Sequence, residues 1–225
     1  MKIILLPGMD GTGLLFKPLV DILGIKADVR VISYPTHEKL SYVELTELVT
    51  KQLPDEDYFL VAESFSGPIA YQIAKKYPKN LKVVVFIATF LTSPNRLLTL
   101  LTKLPMGLLF KIPIPAFLIK RYFLGRGVDS DTIELFRKSI KSVSSRVLSF
   151  RLNEMKKLKT ESATLLIPCV YIQAKNDKLV SENHVNEFKK ISPQVKVVVI
   201  ESPHFVAQVS PKRCSEVILE FAQKS

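Results

Sequence analysis

Short apolar runs recur along the chain, and segments with apolar residues at helical spacing separate them. The runs are nearly continuous Val, Ile and Leu, which is typical of strands buried on both faces. Their alternation with helices predicts an α/β fold, a parallel sheet of about six strands with helices on both faces. Ligands of such sheets bind at the edge where the strands end. The predicted strands are Lys2–Leu6, Asp28–Ser33, Tyr58–Ala62, Lys82–Ala88, Cys169–Ala174 and Val195–Glu201.

Helices are predicted in the segments between these strands. Ser41 and Glu44 have the spacing of a capping box, which marks a helix start, and Pro78 is expected to stop the helix that follows the third strand. The predicted helices are Leu14–Leu23, Ser41–Leu53, Ser66–Tyr77, Ser181–Ile191 and Ser210–Ala222.

The third strand runs directly into a tight turn, Glu63–Phe65, with Ser64 at its centre. A turn from strand to helix directs the hydroxyl outward, and the N–H groups at the helix start can stabilise a developing anion. Strand and helix pass close together there, so the residues two before and two after the serine must be small. Ala62 and Ser66 meet this requirement, and Gly67 follows. The stretch predicts a nucleophilic serine.

A serine hydroxyl needs a base to take its proton, and the base needs a carboxylate to orient it. His204 follows the last strand at the ligand edge and is the best candidate base; His37 follows the second strand and could line the entrance, while His184 falls in a predicted exposed helix. Asp177 follows the fifth strand and is the candidate carboxylate. The competing interpretation is a turn aspartate that caps the next helix or pairs with Lys178.

The order Ser64, Asp177, His204 is that of the α/β-hydrolase triad. The sequence resembles α/β-hydrolases over nearly its whole length, especially bacterial ones that share the opening LPGMDGTG and the turn AESFSG. It resembles more distantly the plant esterase, lipase and thioesterase branch that makes phytyl esters. The resemblance implies an oxyanion hole built from the backbone N–H groups of Met9 and Phe65, and an α/β-hydrolase fold lacking its first two strands.

Several positions depart from the pattern of that superfamily. Pro7-Gly8 stands where His-Gly is usual, and Ala62 and Ser66 replace the usual glycines of the serine turn. Asp10 has no general counterpart, and a carboxylate pointing inward would repel an oxyanion. We expect Asp10 to bond the Gly11–Gly13 backbone instead, as a turn residue.

One long segment, residues 91–166, interrupts the alternation of strands and helices. Its apolar residues step by three and four, and Asp131 with Glu134 could cap a helix. We interpret it as a helical cap inserted into a core made of residues 1–90 and 167–225, and its leucines and phenylalanines suggest an apolar acyl pocket. Ordinary helix packing would explain much of the same pattern. The apolar residues begin with Leu97, Leu98, Leu100, Leu101 and Leu108–Phe110 and continue through Phe117, Ile133, Phe136, Ile140, Val143, Val147 and Phe150.

The chain carries a net charge of +11, which alone would suggest nucleic acid or an anionic membrane. No recognisable nucleic-acid module accompanies the charge, so we expect no nucleic-acid partner. Basic residues interleave with apolar ones in the insertion, which allows weak contact with anionic lipid, although we favour a solvated face of the cap as their explanation. They are Lys103, Lys111, Lys120, Arg121, Arg126, Arg137, Lys138 and Lys141.

Composition narrows the remaining possibilities. Two cysteines, Cys169 and Cys214, give no disulfide framework, and no apolar run approaches the length of a membrane span. The glycine-rich loop Gly8–Gly13 has neither dinucleotide spacing nor a Walker lysine. We expect a cytoplasmic protein without cofactor or metal; the oligomeric state stays open.

These features predict a serine hydrolase acting on a carboxylic ester or thioester, with a small-molecule acyl substrate. Two alternatives remain open. Acyl transfer to an alcohol or amine would use the same residues, and a non-catalytic binding protein would keep the fold without the chemistry.

Overall fold

The computed structural model describes residues 2–94, 114–159 and 163–223. These residues build one sheet with the strands β1 Lys2–Leu6, β2 Asp28–Val31, β3 Tyr58–Glu63, β4 Leu81–Ile87, β5 Cys169–Ala174 and β6 Lys196–Ile200. The strands lie in the order β2-β1-β3-β4-β5-β6, and every neighbouring pair is parallel. The predicted α/β class with a parallel sheet is confirmed. The strand order reverses between β1 and β3, where open sheets form a crevice for ligands.

The helices of the described residues follow the strands in the alternating order that the sequence predicts. They are α1 Lys17–Leu23, α2 Tyr42–Thr50, α3 Gly67–Ala74, α4 Ala116–Ile119, α5 Ser130–Lys141, α6 Ser145–Lys157, α7 Val185–Ile191, α8 Val206–Val209 and α9 Pro211–Gln223. Shorter 3-10 turns cover Leu14–Phe16, Ser64–Ser66 and Glu182–His184, and Lys120–Leu124 forms a π-helical turn.

Each face of the sheet has its own hydrophobic core. Ile4 and Leu6 of β1 pack with residues of α2, α3 and α7, whereas Ile3 and Leu5 pack on the other face with residues of α1 and α9. Every residue of β3 is buried, which explains why its first five residues, Tyr58–Ala62, are apolar without alternation. Burying each large apolar side chain contributes about 1.5–3 kcal/mol, so the burial of β3 contributes strongly to the stability of the fold.

Several predicted boundaries differ from the structure by a few residues, and three differences are informative. The helix after the serine turn ends at Ala74 instead of Tyr77, because Tyr77 precedes Pro78 and takes a left-handed φ of 50°. The cap of α5 is Asp129, whose side chain accepts the Thr132 N–H at 2.7 Å, and not the predicted Asp131. The second strand ends at Val31, before the predicted Ser33.

The capping box at the start of α2 is confirmed. The Ser41 side chain accepts the Glu44 N–H, and the Glu44 carboxylate accepts the Ser41 N–H at 2.8 Å. The two bonds satisfy donors that a helix start would otherwise leave unpaired.

The predicted insertion lies between β4 and β5 and contains α4, the π-helical turn, α5 and α6. Its predicted apolar run from Leu97 to Phe110, with Lys103 and Lys111, lies outside the described residues. Leu15 of the core packs in one cluster with Ile119, Ile133 and Phe136 of the insertion. The boundaries proposed for the core and the insertion stay predictions.

Among the described residues, no helix combines the length and the apolar character needed to cross a membrane.

We predict that Gly67→Ala destabilises the protein by about 1–3 kcal/mol or more. A Cβ atom at Gly67 would lie 2.8 Å from Thr89 Cγ2 and closer still to the Thr89 hydroxyl, and Thr89 is fully buried. Urea unfolding measures the change.

Gly127→Ala is the matched control, since a Cβ there meets nothing within 4 Å, and we expect a change below about 0.5 kcal/mol. Equal effects of the two substitutions would contradict the close approach of α3 to the end of β4.

Candidate active site

Three loops at the carboxyl edge of the sheet bring the predicted serine, histidine and aspartate into contact. Ser64 follows β3, Asp177 follows β5 and His204 follows β6. The Ser64 Oγ lies 2.9 Å from His204 Nε2, and His204 Nδ1 lies 2.7 Å from Asp177 Oδ2. Both distances are normal for hydrogen bonds, so a proton can pass from the hydroxyl to the ring.

Ser64 takes a strained backbone conformation. Its φ is 50°, in the left-handed region that non-glycine residues seldom occupy. Such a residue costs about 1–3 kcal/mol and persists only where its surroundings hold it. The buried Thr89 hydroxyl donates a hydrogen bond to the Ser64 carbonyl, and Gly67 leaves the space that this contact needs.

Asp177 uses both carboxylate oxygens. Oδ1 accepts the N–H groups of Leu179 and Val180 at 2.8 and 2.9 Å, and Oδ2 faces His204. The aspartate therefore caps its own turn and also contacts the histidine, so the two interpretations are compatible. Lys178 does not pair with it, because its Nζ donates to the Arg121 carbonyl at 2.8 Å.

His204 is buried among negative groups. Burial disfavours the charged ring, but the charge and hydrogen bond of Asp177 and the nearby Glu63 outweigh it, so the pKa of His204 lies above its ordinary value of 6.5. Asp177 thus stabilises an imidazolium at this position and fixes the proton of the neutral ring on Nδ1.

Glu63 is a functional candidate that the sequence analysis treated only as part of the turn. Its side chain is 3% exposed. Oε2 accepts Gln208 Nε2 at 3.1 Å, and Oε1 has no hydrogen-bond partner among the described residues. Burial raises the pKa of Glu63 to about 7, although His204 and the Gln208 hydrogen bond lower it. Its position directly before Ser64 was the available signal.

The glycine-containing loop after β1 lies against the serine turn. A Cβ on Gly8 would be 4.0 Å from Ser64 Cβ. Asp10 accepts the Thr12 N–H at 2.9 Å and also bonds the Thr12 hydroxyl, in the turn that the sequence predicts for it. That Met9 and Phe65 direct their N–H groups at a substrate stays a prediction.

Ser66 is more than a tolerated replacement for glycine. Its hydroxyl donates to the Pro7 carbonyl and accepts from the buried Tyr34 hydroxyl at 2.5 Å. The bonds tie the serine turn to the loop after β1. Nothing in the local sequence identifies Tyr34 as a partner, because 32 residues separate it from Ser66.

Arg151 of α6 reaches the same loop, a contact that no pattern in the sequence predicts. Its Nη1 donates to the Met9 and Asp10 carbonyls, each at 2.8 Å, and its Nη2 donates to the Pro35 carbonyl at 2.8 Å. Partners that are backbone carbonyls leave no complementary residue in the sequence to reveal them.

A cavity of about 230 Å³ lies beside Ser64. Most of its lining is apolar and comes from the core and the insertion together. The lining residues are Gly8, Met9, Asp10, Leu15, Glu63, Ser64, Phe90, Pro94, Ile114, Phe123, Phe136, Ile140, Leu152, Met155, Leu179, Val180, His204 and Phe205.

The other two histidines lie apart from Ser64. His37 is exposed and does not line the cavity. His184 is partly buried and not on an exposed helix as predicted, since its Nδ1 bonds Glu187 and its Nε2 contacts the Pro94 carbonyl, both at 3.0 Å. Cys169 and Cys214 are buried free thiols, and burial raises the pKa of both.

Comparisons with known proteins identify related sequences. The sequence model of the family described as serine aminopeptidase, S33, matches residues 41–205. Among curated proteins, phytyl ester synthase 1, chloroplastic, of Arabidopsis thaliana is 29% identical in an alignment over 123 residues that covers 49% of this chain. The matched part covers 17% of that relative, so this chain spans only a small part of its length.

Solved structures share the fold at low sequence identity. The enol-lactonase from Burkholderia xenovorans LB400 has a TM-score of 0.80 at 14% identity, with 99% of this chain and 91% of that one covered. A thermophilic esterase from Thermogutta terrifontis has a TM-score of 0.76 at 17% identity, with 100% and 90% covered. The predicted α/β-hydrolase fold is confirmed.

We predict that Glu63→Gln removes part of the pH dependence of stability. The folded pKa of Glu63 is about 7, above its ordinary 4.5, so the folded state holds a proton that the unfolded state releases. The contribution of Glu63 to the free energy of unfolding is fully present below about pH 4.5 and is lost as pH rises through 7. The free energy of unfolding of the variant, measured with urea, should therefore increase relative to that of the wild type as pH rises, by up to about 3 kcal/mol at pH 8.

Glu201→Gln serves as the control for this measurement. Glu201 is exposed, and its hydrogen bond from Lys175 lowers its pKa. It is ionised in both states above pH 6, so its removal should leave the slope between pH 6 and 8 unchanged. A pH-independent difference between wild type and Glu63→Gln would contradict the raised pKa.

Proposed function

Because the chain belongs to the hydrolase family described as serine aminopeptidase, S33, we propose that it cleaves carboxylic esters or thioesters through an acyl-enzyme on Ser64. The observation that carries this proposal is the continuous hydrogen-bonded path from Ser64 through His204 to Asp177. A serine hydroxyl, a buried imidazole and a carboxylate in this order form the arrangement that activates a hydroxyl as nucleophile.

In the proposed reaction, Ser64 Oγ attacks the acyl carbonyl carbon while its proton moves to His204 Nε2. Asp177 stabilises the resulting imidazolium through Nδ1. The tetrahedral oxyanion accepts hydrogen bonds from the Met9 and Phe65 N–H groups, and removal of one such donor typically costs about 3 kcal/mol. His204 then returns the proton to the leaving alcohol or thiol, and the acyl group stays on Ser64.

Hydrolysis of the acyl-enzyme completes the cycle, and the same groups take part in it in the reverse order. A water molecule gives its proton to His204 and attacks the acyl carbon, and the second tetrahedral intermediate collapses to a carboxylic acid and free Ser64. The raised pKa of His204 means that protonation removes this base at a higher pH than it would for an ordinary histidine. The rate should therefore fall as the pH decreases.

The cavity lining supports a substrate with an apolar acyl group. Phe136, Ile140 and Phe205 line it together with Ser64, so an acyl chain bound there exchanges water for hydrocarbon contacts. Each methylene buried contributes about 0.8 kcal/mol. We infer that the preferred acyl chain extends beyond acetyl.

Acyl transfer is the second candidate function. The similarity to part of phytyl ester synthase 1 and the apolar lining of the cavity favour an alcohol as an acceptor that competes with water. Both functions share the acyl-enzyme, so only the second step separates them.

We predict that Ser64→Ala abolishes both labelling by a fluorophosphonate and ester turnover. Loss of the nucleophile of a triad lowers kcat by about 10⁶-fold in a well-studied protease. Mass spectrometry should locate the label on Ser64 of the wild type. Ser130→Ala, at an exposed serine, should label and turn over as the wild type does.

The same assay separates the alternatives. Turnover of p-nitrophenyl esters and acyl-CoA thioesters with acid as product supports hydrolysis, and preferential ester formation with added long-chain alcohol supports transfer. Aminoacyl amides test for the peptidase activity named in the family description. Wild-type protein that neither labels nor turns over any of these substrates would favour a non-catalytic binding protein.

We predict that Ile140→Trp shortens the acyl preference. The larger side chain fills part of the cavity, and one methylene of misfit is worth about 10- to 200-fold in kcat/KM. kcat/KM for decanoyl esters should fall at least about 10-fold, whereas that for acetyl esters should change little. Lys141→Trp, at an exposed position of the same helix, is the control. Equal losses for all chain lengths would contradict an acyl group in this cavity.

A further inference from the structure

We propose that Arg151 is a positioning residue that holds the loop after β1 in the conformation needed to bind the oxyanion. The inference rests on the proposed function and adds to it a role for the insertion. Arg151 lies on α6, in the insertion, whereas Met9 lies in the core. Oxyanion binding then depends on residues from both parts of the chain.

The burial of Arg151 shows that its charge serves a specific contact. Its side chain is 2% exposed, and it forms no salt bridge with any carboxylate of the described residues. A buried charge is strongly unfavourable unless its donors are satisfied. Here the guanidinium donates three hydrogen bonds, to the backbone carbonyls of Met9, Asp10 and Pro35, which meet three of its five N–H groups.

The loop is shaped around the guanidinium group. One nitrogen, Nη1, donates hydrogen bonds to two consecutive carbonyls, those of Met9 and Asp10. Both carbonyl oxygens therefore point towards the same atom. Gly11 follows with a φ of 71°, and a Cβ atom there would lie 2.5 Å from Nη1. Only glycine therefore allows the chain to turn this closely around Arg151.

These contacts restrict the N–H group assigned to the oxyanion. The Met9 carbonyl is held by Arg151, and the Pro7 carbonyl, two residues earlier, is held by the Ser66 hydroxyl. The peptide bearing the Met9 N–H lies between these two anchors. The guanidinium also lies 6.0 Å from the ring centre of Phe65, the residue of the second assigned donor. A shift of about 0.5 Å is enough to impair such a site.

A purely structural role makes a different prediction. If Arg151 only fastened the insertion to the core, its loss would lower stability and leave kcat of the folded protein unchanged. A positioning role lowers kcat with KM nearly constant, because the oxyanion forms only in the transition state. It also weakens binding of a trifluoromethyl ketone, which forms a tetrahedral adduct, more than it weakens substrate binding.

The test compares Arg151→Met and Arg151→Lys with Arg146→Met, an exposed arginine on the same helix. We expect Arg151→Met to lower kcat by about 10²-fold or more, the loss seen when one oxyanion donor is removed, with KM within about threefold. Arg151→Lys keeps the charge and should recover part of the loss. Arg146→Met should match the wild type.

The outcomes are separable. A folded Arg151→Met protein with wild-type kcat overturns the proposal. If that variant does not fold, Arg151→Lys decides, because unchanged kcat and ketone affinity in this milder variant overturn the proposal and a selective loss of both supports it. Wild-type protein without turnover overturns this proposal together with the proposed function, whereas an active wild type with unaffected Arg151 variants overturns this one alone.

Discussion

The strained turn at Ser64 is the constraint around which the rest of the described structure is arranged. A left-handed backbone at a serine is unfavourable by itself, so packing must maintain it. Thr89 holds the Ser64 carbonyl, Gly67 admits Thr89, and Ser66 ties the turn to the loop after β1. The parallel sheet brings these elements together because all its strands end at the same edge.

The elements that could be predicted from the sequence are those with a local pattern. The apolar run Cys169–Ala174 matches β5 without change, and the rule that parallel strands end together, combined with the chain order of the three residues, selects His204 and Asp177 as candidates. Arg151 and Tyr34 could not be found in this way, since their partners are backbone carbonyls or hydroxyls far away in the chain. The N-cap of α5 is Asp129 and not the predicted Asp131. Both residues suit the position by type, and the start of α5 at Ser130 determines which of them is the cap.

Buried charge is distributed unevenly around Ser64. Burial raises the pKa of Asp10 despite its bonds to Thr12 and the nearby Arg151, and it raises that of Glu63 to about 7. Arg151 meets three carbonyls instead of a carboxylate. A cation satisfied by peptide dipoles constrains the backbone direction, whereas an ion pair would constrain only another side chain.

The segment between β4 and β5, which we interpret as an insertion, contributes to the site through two of its helices. Residues of α5, such as Ile140, line the cavity, while Arg151 of α6 contacts the loop after β1. On the proposed mechanism, α5 contributes to which acyl group fits, and Arg151 of α6 contributes to how well the oxyanion is stabilised. Leu152 and Met155 of α6 also line the cavity, so substitutions on α5, such as at Ile140, are the ones that change its size away from the helix that carries Arg151. Chain-length preference and kcat should then vary independently within this fold.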